Sequence, residues 1–246
     1  MEKFLLEVCC GCVEDVLQAY HGGADRVELN SCLFHGGLTP SVGELIVAKK
    51  AVPIPIMTMV RPRQGGFCYT EAEFATALAD AEQLLSHGAD GLVFGFLHED
   101  GSLDRERCRQ IIALAGDKQK VFHRAIDVAA DWKRMLSELI ELGVTRVLTS
   151  GLAPDVVYGM DVIREMIEFA NGRIEILPGA GVNLQNIDRI VETTGCTQIH
   201  VARFTSRLDP STSNNRDIFY GGALYPPEDR YDVIDGDYIG RIRKHG

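Results

Sequence analysis

One short pattern occurs four times along this chain and limits what the chain can fold into. Each copy has a glycine, a short turn and a run of apolar residues, and the copies begin at Gly23, Gly88, Gly143 and Gly195. Because glycine tolerates the left-handed conformation that ends a helix, each copy indicates a helix end followed by a buried strand. The spacing leaves room for one more strand between copies, as expected of a barrel built from duplicated βα units.

Eight short runs rich in Val, Ile and Leu alternate with longer segments of helical period. We predict strands at residues 4–8, 26–30, 55–60, 91–96, 120–124, 145–150, 173–177 and 198–202. Ser41 with Glu44, and Thr70 with Glu73, have the spacing of a capping box at a helix start. The alternation predicts an α/β fold, namely a single TIM-like (β/α)₈ barrel over residues 1–246.

A doubly wound open sheet is the alternative architecture. Its first turn would often carry a glycine fingerprint, and the first turn here, residues 9–12, reads Cys-Cys-Gly-Cys instead. After the eighth strand, the polar segment 205–231 is too long for a tight turn. We expect it to be a long loop, acting as a lid or a subunit contact, before a short final helix at 237–244.

Charge and composition limit the partners and the location. The net charge is −10 and the pI is about 5.2, which argues against nucleic-acid or anionic-membrane partners, since both need a basic footprint. The first seven residues do not read as a signal peptide and no apolar run is long enough for a membrane helix, so we expect a cytoplasmic protein. Seven cysteines without a secretion signal indicate free thiols.

Polar residues occur where the predicted strands end, which is where barrel enzymes build their sites. Strand alternation brings their side chains to one opening, and buried carboxylates need a partner, for which Arg61 is the expected choice. The set is either an acid–base site or a structural ion network closing the barrel mouth. The candidate catalytic residues are Glu7, Glu28, Arg61, His123, Asp127 and His200, with Arg63 and Arg124 flanking them.

Two further groups suit ligands. Gly179 and Gly181 precede a helix in the loop after strand seven, and with Thr149 and Ser150 they form a candidate anion site, unless the glycines simply make two tight turns. Soft thiolates suit Cu(I) or Zn(II). Cys9, Cys10 and Cys12 crowd the end of strand one, where adjacent strand residues point apart, and Cys32 could approach Cys9 from the end of strand two. The candidate metal ligands are Cys9 and Cys32, with Cys10 or Cys12 as alternative partners of Cys9. The alternative reading is that these cysteines are small buried hydrophobes.

Together these stretches resemble the CutC family, which is named for copper homeostasis. The resemblance runs in order from about residue 4 to 202, through Leu6–Cys9, Gly23–Leu29, Gly36–Ser41, Arg61–Arg63, Phe67–Tyr69, Phe122–Asp127, Arg146–Gly151, Gly179–Val182 and Ile199–His200. It implies a cytoplasmic TIM-like barrel that forms homo-oligomers, has a role in copper handling and binds Cu(I). Family members proposed to bind copper carry a second thiol at the end of strand two, where this chain has Asn30, and Cys32 follows two residues later.

Three functions remain open. The first is a copper homeostasis protein of the CutC type whose partner is a copper ion. The second is a cofactor-independent enzyme, of isomerase or lyase type, acting on a small anionic metabolite. The third is a scaffold that has lost its chemistry, because a fold does not imply a function. The resemblance puts the copper role first, whereas the residues alone favour the enzyme.

Overall fold

The chain forms a barrel of eight parallel strands. The computed structural model describes residues 4–221 and 228–246. The strands are β1 (Leu5–Cys10), β2 (Arg26–Leu29), β3 (Ile56–Met59), β4 (Gly91–Phe94), β5 (Gln119–Phe122), β6 (Arg146–Thr149), β7 (Glu175–Pro178) and β8 (Gln198–Val201). Their order is β7-β6-β5-β4-β3-β2-β1-β8, and β7 also packs against β8. The predicted TIM-like (β/α)₈ barrel is confirmed.

A helix follows each of the first seven strands and covers the outside of the sheet. The helices are α1 (Val13–His21), α2 (Val42–Ala51), α3 (Glu71–Ser86), α4 (Arg105–Ala115), α5 (Trp132–Glu141), α6 (Val156–Ala170) and α7 (Ile187–Thr194), and α8 (Gly236–Arg243) ends the chain. Both predicted capping boxes are present, at the starts of α2 and α3. Within the described residues, none of the helices has the length and apolar character needed to span a bilayer.

The four repeated glycines adopt the backbone conformation that their position requires. Gly23, Gly88, Gly143 and Gly195 have φ angles of 89°, 98°, 79° and 71°. A side chain at these angles would be strained, so glycine turns the chain sharply from each helix into the next strand. The repeat therefore marks every second entry into the barrel, as the sequence predicted.

The segment after β8 is partly ordered as a ribbon. β9 (Phe204–Leu208) and β10 (Arg230–Ile234) pair antiparallel outside the barrel. Asp15 in α1 ties the ribbon down, because one carboxylate oxygen accepts from the Ile234 N–H at 2.7 Å and the other accepts from the Gly11 N–H at 2.8 Å. The predicted loop 205–231 thus begins and ends in strands, and residues 222–227, including Tyr225, lie outside the described residues. Its role as a lid or subunit contact stays a prediction.

The barrel interior has an apolar half and a polar half. Met57, Met59, Val93 and Val121, from β3 to β5, form a separate buried cluster inside the barrel. The opposite half is polar and buried, and it is filled by Glu7, Arg26, Glu28, Arg146, Gln198 and His200. Ionisable side chains therefore meet each other across β8, β1 and β2, in surroundings that exclude water.

Candidate functional site

Glu7 is the centre of a buried ion network inside the barrel. It lies in the middle of β1, where the parallel register sets it beside Arg26 of β2 and His200 of β8. One carboxylate oxygen pairs with the Arg26 guanidinium, and Arg146 of β6 lies 3.9 Å from that oxygen. The other oxygen is 2.7 Å from Nδ1 of His200.

These contacts fix the charges of both partners. Burial by itself raises the pKa of Glu7, but the charge of Arg26 and the hydrogen bond from His200 outweigh it, and the pKa falls to about 2. Burial by itself lowers the pKa of His200, but the hydrogen bond to Glu7 and the charges of Glu28 and Glu7 raise it overall. Glu7 is therefore ionised, and His200 Nδ1 donates to it, which leaves Nε2 directed away from Glu7.

Cys9, Glu28 and His200 form a compact cluster one layer nearer the barrel mouth. The Cys9 sulfur, a carboxylate oxygen of Glu28 and a ring nitrogen of His200 all lie within 4.8 Å of one another. The Asn30 amide spans two of them, donating to Glu28 Oε2 at 2.9 Å and to Cys9 Sγ at 3.5 Å. Glu28 Oε1 and Asn30 Oδ1 are buried without a hydrogen-bond partner. A thiol, an imidazole and a carboxyl group at this spacing are a possible metal donor set.

The surroundings of the cluster favour the protonated forms of Cys9 and Glu28. Burial raises the pKa of the Cys9 thiol well above its ordinary value, and the charges of Glu28 and Glu7 raise it further. Burial also raises the pKa of Glu28, although the charge of His200 opposes the rise. Since a thiol must lose its proton to bind a metal, a cation binding here would displace the proton of Cys9.

Arg61 does not neutralise either buried carboxylate, so that expectation was wrong. Its guanidinium donates to three backbone carbonyls, at 3.0 Å to His35, 2.9 Å to Gly37 and 2.8 Å to Gly65. The Glu7 carboxylate pairs with the guanidinium of Arg26 instead, because the two residues are register neighbours on adjacent strands. Arg61 is buried and holds the loops after β2 and β3 together.

His123 is a neutral imidazole at the end of β5. It caps the short 3₁₀ helix Arg124–Val128, and its Nδ1 accepts from the Ala125 N–H at 3.2 Å. Burial and then the charge of Arg61 lower its pKa to about 3. Because a backbone N–H can only donate, the ring proton must be on Nε2, and that atom is buried without a partner. The ring packs over Gly95, where a Cβ atom would overlap His123 Cε1.

Asp127 organises the loop after β6. Its carboxylate accepts from the Thr149 hydroxyl at 2.5 Å, the Ser150 hydroxyl at 2.8 Å and the Ser150 N–H at 3.0 Å. It also pairs with Arg124, whose guanidinium donates to Ser150 as well. The hydroxyls expected to bind an anion are thus engaged by a carboxylate. The flanking Arg63 pairs with Glu73 at 2.6 Å.

The glycine loop after β7 is occupied by neighbouring side chains. Gly179 donates its N–H to the Thr149 carbonyl at 2.9 Å, and a Cβ atom there would lie 3.2 Å from His200 Cβ. The carboxylate of Asp155 lies directly against Gly181. Gly179 therefore makes room for the imidazole of the cluster, whereas the backbone at Gly181 already faces a negative charge. Anion binding by this loop stays a prediction.

The three other thiols near the ends of β1 and β2 differ in position. Cys10 is buried in the apolar layer outside the barrel, and Cys12 is half-buried at the start of α1. Cys32 is exposed and has a left-handed backbone, with φ at 47°. The donor cluster contains Cys9 but none of these three thiols.

Sequence reasoning left three interior residues out of the site. Arg26 and Arg146 both donate to the amide oxygen of Gln198, at 2.5 and 3.0 Å, and Arg146 also pairs with Glu175 at 2.8 Å. The available signal was an arginine at the first residue of a buried strand, in both β2 and β6, because such a charge needs acidic partners inside the barrel.

The chain matches known proteins over most of its length. The CutC family model matches residues 4–205. The chain belongs to the CutC family. A family protein CutC from Treponema denticola is 50% identical over 244 residues, covering 99% of each chain. The copper homeostasis protein cutC homolog of Homo sapiens is 41% identical over 232 residues, covering 94% of this chain and 85% of the relative.

Solved structures agree with the fold. The crystal structure of a CutC protein from Streptococcus agalactiae has a TM-score of 0.77 and 32% sequence identity, covering 80% of this chain and 97% of that one. Phosphoribosylanthranilate isomerase from Thermotoga maritima has a TM-score of 0.54 at 15% identity, covering 98% of this chain and 97% of the isomerase. The second likeness concerns the barrel fold alone.

Proposed function

We propose that this CutC family protein acts in copper homeostasis by binding one Cu(I) ion through Cys9 and His200. The observation that carries the proposal is the cluster of Cys9 Sγ, a ring nitrogen of His200 and a Glu28 oxygen within 4.8 Å. Thiolate and imidazole are donors that copper accepts, so the residues fit the ion that the names of the relatives suggest. Cytoplasmic location and homo-oligomer formation belong to the same proposal.

The surroundings of His200 favour ligation through Nε2. Metal-binding histidines almost always donate their other N–H to a carboxylate or carbonyl, which fixes the ring and its tautomer. Glu7 accepts from His200 Nδ1 at 2.7 Å and is itself held by Arg26. Because Nδ1 is engaged by Glu7, Nε2 is the ring nitrogen left to bind a metal ion. Register pairing sets His200 beside Glu7, and Cys9 lies two residues beyond Glu7 on β1.

Asn30 takes the place of the second thiol that the sequence resemblance leads one to expect. Its amide nitrogen lies 3.5 Å from Cys9 Sγ and 2.9 Å from Glu28 Oε2, so it orients both side chains. We therefore propose His200 in place of a second cysteine, and we assign no ligand role to the exposed Cys32.

The test is a Cu(I) competition titration against a chromogenic chelator. Cys9→Ser and His200→Asn should each lower the affinity at least about 100-fold, whereas losing a residue that only orients a ligand costs about 10- to 100-fold. Asn retains a donor towards Glu7 but lacks the Nε2 ligand. Cys32→Ser is the matched control and should leave the affinity unchanged. A loss with Cys32→Ser as large as that with Cys9→Ser would instead support the thiol pair.

A second candidate function is acid–base catalysis on a small anionic metabolite. The observation that favours it is that two buried carboxyl groups flank His200 with pKa values moved in opposite directions, Glu7 to about 2 and Glu28 upwards. Such a pair supplies a base and an acid in one site. A thermal-shift screen of small anionic metabolites tests it, and the enzyme role fails if no stabilising ligand loses its effect in Glu28→Gln.

A further inference from the structure

Arg61 carries a buried positive charge that lacks an acidic partner. Only 7% of Arg61 is exposed to solvent. Across residues 4–221 and 228–246, no Asp or Glu oxygen lies within 4.0 Å of its guanidinium. Three backbone carbonyls accept from it, but carbonyls carry no net charge, and Nε has no hydrogen-bond partner. Buried charges in proteins are normally paired, so Arg61 lacks a counter-charge among the described residues.

A second unpaired donor lies beside Arg61. Both side chains contact the half-buried ring of Phe67, whose centroid is 5.5 Å from Arg61 Cζ and 4.7 Å from the His123 ring centroid. His123 Nε2 carries the ring proton, because Nδ1 accepts from Ala125, and it is buried without an acceptor. A buried N–H that makes no hydrogen bond is costly and indicates a missing acceptor.

We infer that Arg61 and His123 bind a small carboxylate that also carries a carbonyl oxygen, a 2-oxo acid. The guanidinium faces the carboxylate, and His123 Nε2–H donates to the carbonyl oxygen. One unpaired positive charge matches a carboxylate better than a phosphate dianion. A neutral imidazole that is kept deprotonated at one nitrogen by a helix N-terminus is suited to polarising a carbonyl group.

This binding site is separate from the copper cluster. Arg61 and His123 are on the β3 and β5 side of the mouth, whereas Cys9 and His200 are on β1 and β8. Gly37 lies between the two groups, since its carbonyl accepts from Arg61 and a Cβ atom at Gly37 would lie 2.5 Å from Asn30 Oδ1. The site shares no residue with the acid–base group Glu7, Glu28 and His200, so this inference goes beyond both candidate functions. Binding of the 2-oxo acid can be measured without turnover and without copper.

The experiment is calorimetric titration of the metal-free protein with pyruvate, oxaloacetate and 2-oxoglutarate, with acetate and inorganic phosphate for comparison. Two substitutions distinguish the roles of the two ring nitrogens of His123. His123→Gln keeps an amide N–H near the position of Nε2 and loses the cap, whereas His123→Asn keeps an acceptor for Ala125 and loses the distal donor. His87→Asn, at an exposed histidine, is the control.

At least one 2-oxo acid should bind more tightly than acetate. His123→Asn should weaken it about 10-fold, as expected for a lost hydrogen bond to a neutral carbonyl oxygen, while His123→Gln should stay within about 3-fold of the native protein. The inference is overturned if none of the three acids binds, if phosphate alone binds, or if His123→Gln weakens binding as much as His123→Asn. Cys9→Ser should leave 2-oxo acid binding intact, so failure of the copper proposal would not affect this result.

Discussion

His123 should make the stability of the barrel depend on pH in a way that one substitution removes. Its pKa is about 3 in the folded protein, because of burial and then the charge of Arg61, against an ordinary value of 6.5. Between these values the unfolded chain binds the proton and the folded chain does not. Acid therefore favours unfolding, and the stability contribution of the neutral ring is lost as the pH falls below about 6.5.

The size of the effect follows from the two pKa values. Between pH 7.5 and pH 5 the difference in proton binding lowers the free energy of unfolding by about 2 kcal/mol. His200 acts in the opposite direction, because its raised pKa makes the folded state bind the proton more tightly. A comparison of the native protein with His123→Asn cancels the contribution of His200 and isolates that of His123.

Urea unfolding at pH 7.5 and pH 5, followed by the fluorescence of Trp132, measures the difference. The stability of His123→Asn relative to the native protein should improve by about 2 kcal/mol on going from pH 7.5 to pH 5. The control His87→Asn should show no such change, since that side chain is exposed. An identical stability difference at both pH values for His123→Asn would refute the assignment of a neutral, buried imidazole.

Three further substitutions and one control test interactions that stabilise the barrel. Glu7→Gln leaves Arg26 and Arg146 without the buried carboxylate that they share. It should lower the free energy of unfolding by about 3–5 kcal/mol, and a smaller loss would contradict the buried ion network. Gly159→Ala should cost about 3 kcal/mol, because a Cβ atom there would overlap the Ser150 carbonyl. Gly43→Ala is its control, since Gly43 is exposed in α2 and a Cβ atom there would make only an ordinary contact of 3.8 Å with Ser41 Oγ. It should be neutral or stabilising by up to about 1 kcal/mol. Ser41→Ala removes one capping box and should cost about 1 kcal/mol; chemical denaturation measures all four variants.

The elements whose signals are local could be predicted from the sequence. The capping residues of α2 and α3 and the glycines at Gly23, Gly88, Gly143 and Gly195 depend on a few neighbouring residues. Strand alternation likewise indicated that Glu7, Glu28 and His200 face the interior. The β9–β10 ribbon was not predicted, because its polar, exposed strands lack an apolar period and depend on docking to Asp15.

The side-chain pairs inside the barrel could not be predicted from local sequence signals. Glu7 meets Arg26 rather than Arg61 because of the register between β1 and β2, and a shift along either strand would change the partner. Cys9 meets His200 only because β8 pairs with β1 across nearly the whole chain length. Sequence spacing pointed to Cys32 as the second ligand because Cys9 and Cys32 follow adjacent predicted strands. Spacing alone does not indicate where the Cys32 side chain lies.

X-ray absorption spectroscopy of the copper-loaded protein at the copper edge identifies the atoms that bind the ion. A site built from Cys9 and His200 should hold one Cu(I) per chain with a single sulfur scatterer and at least one imidazole nitrogen, and the nitrogen signal should be lost in His200→Asn. Two sulfur scatterers and no imidazole signal would contradict a site built from Cys9 and His200.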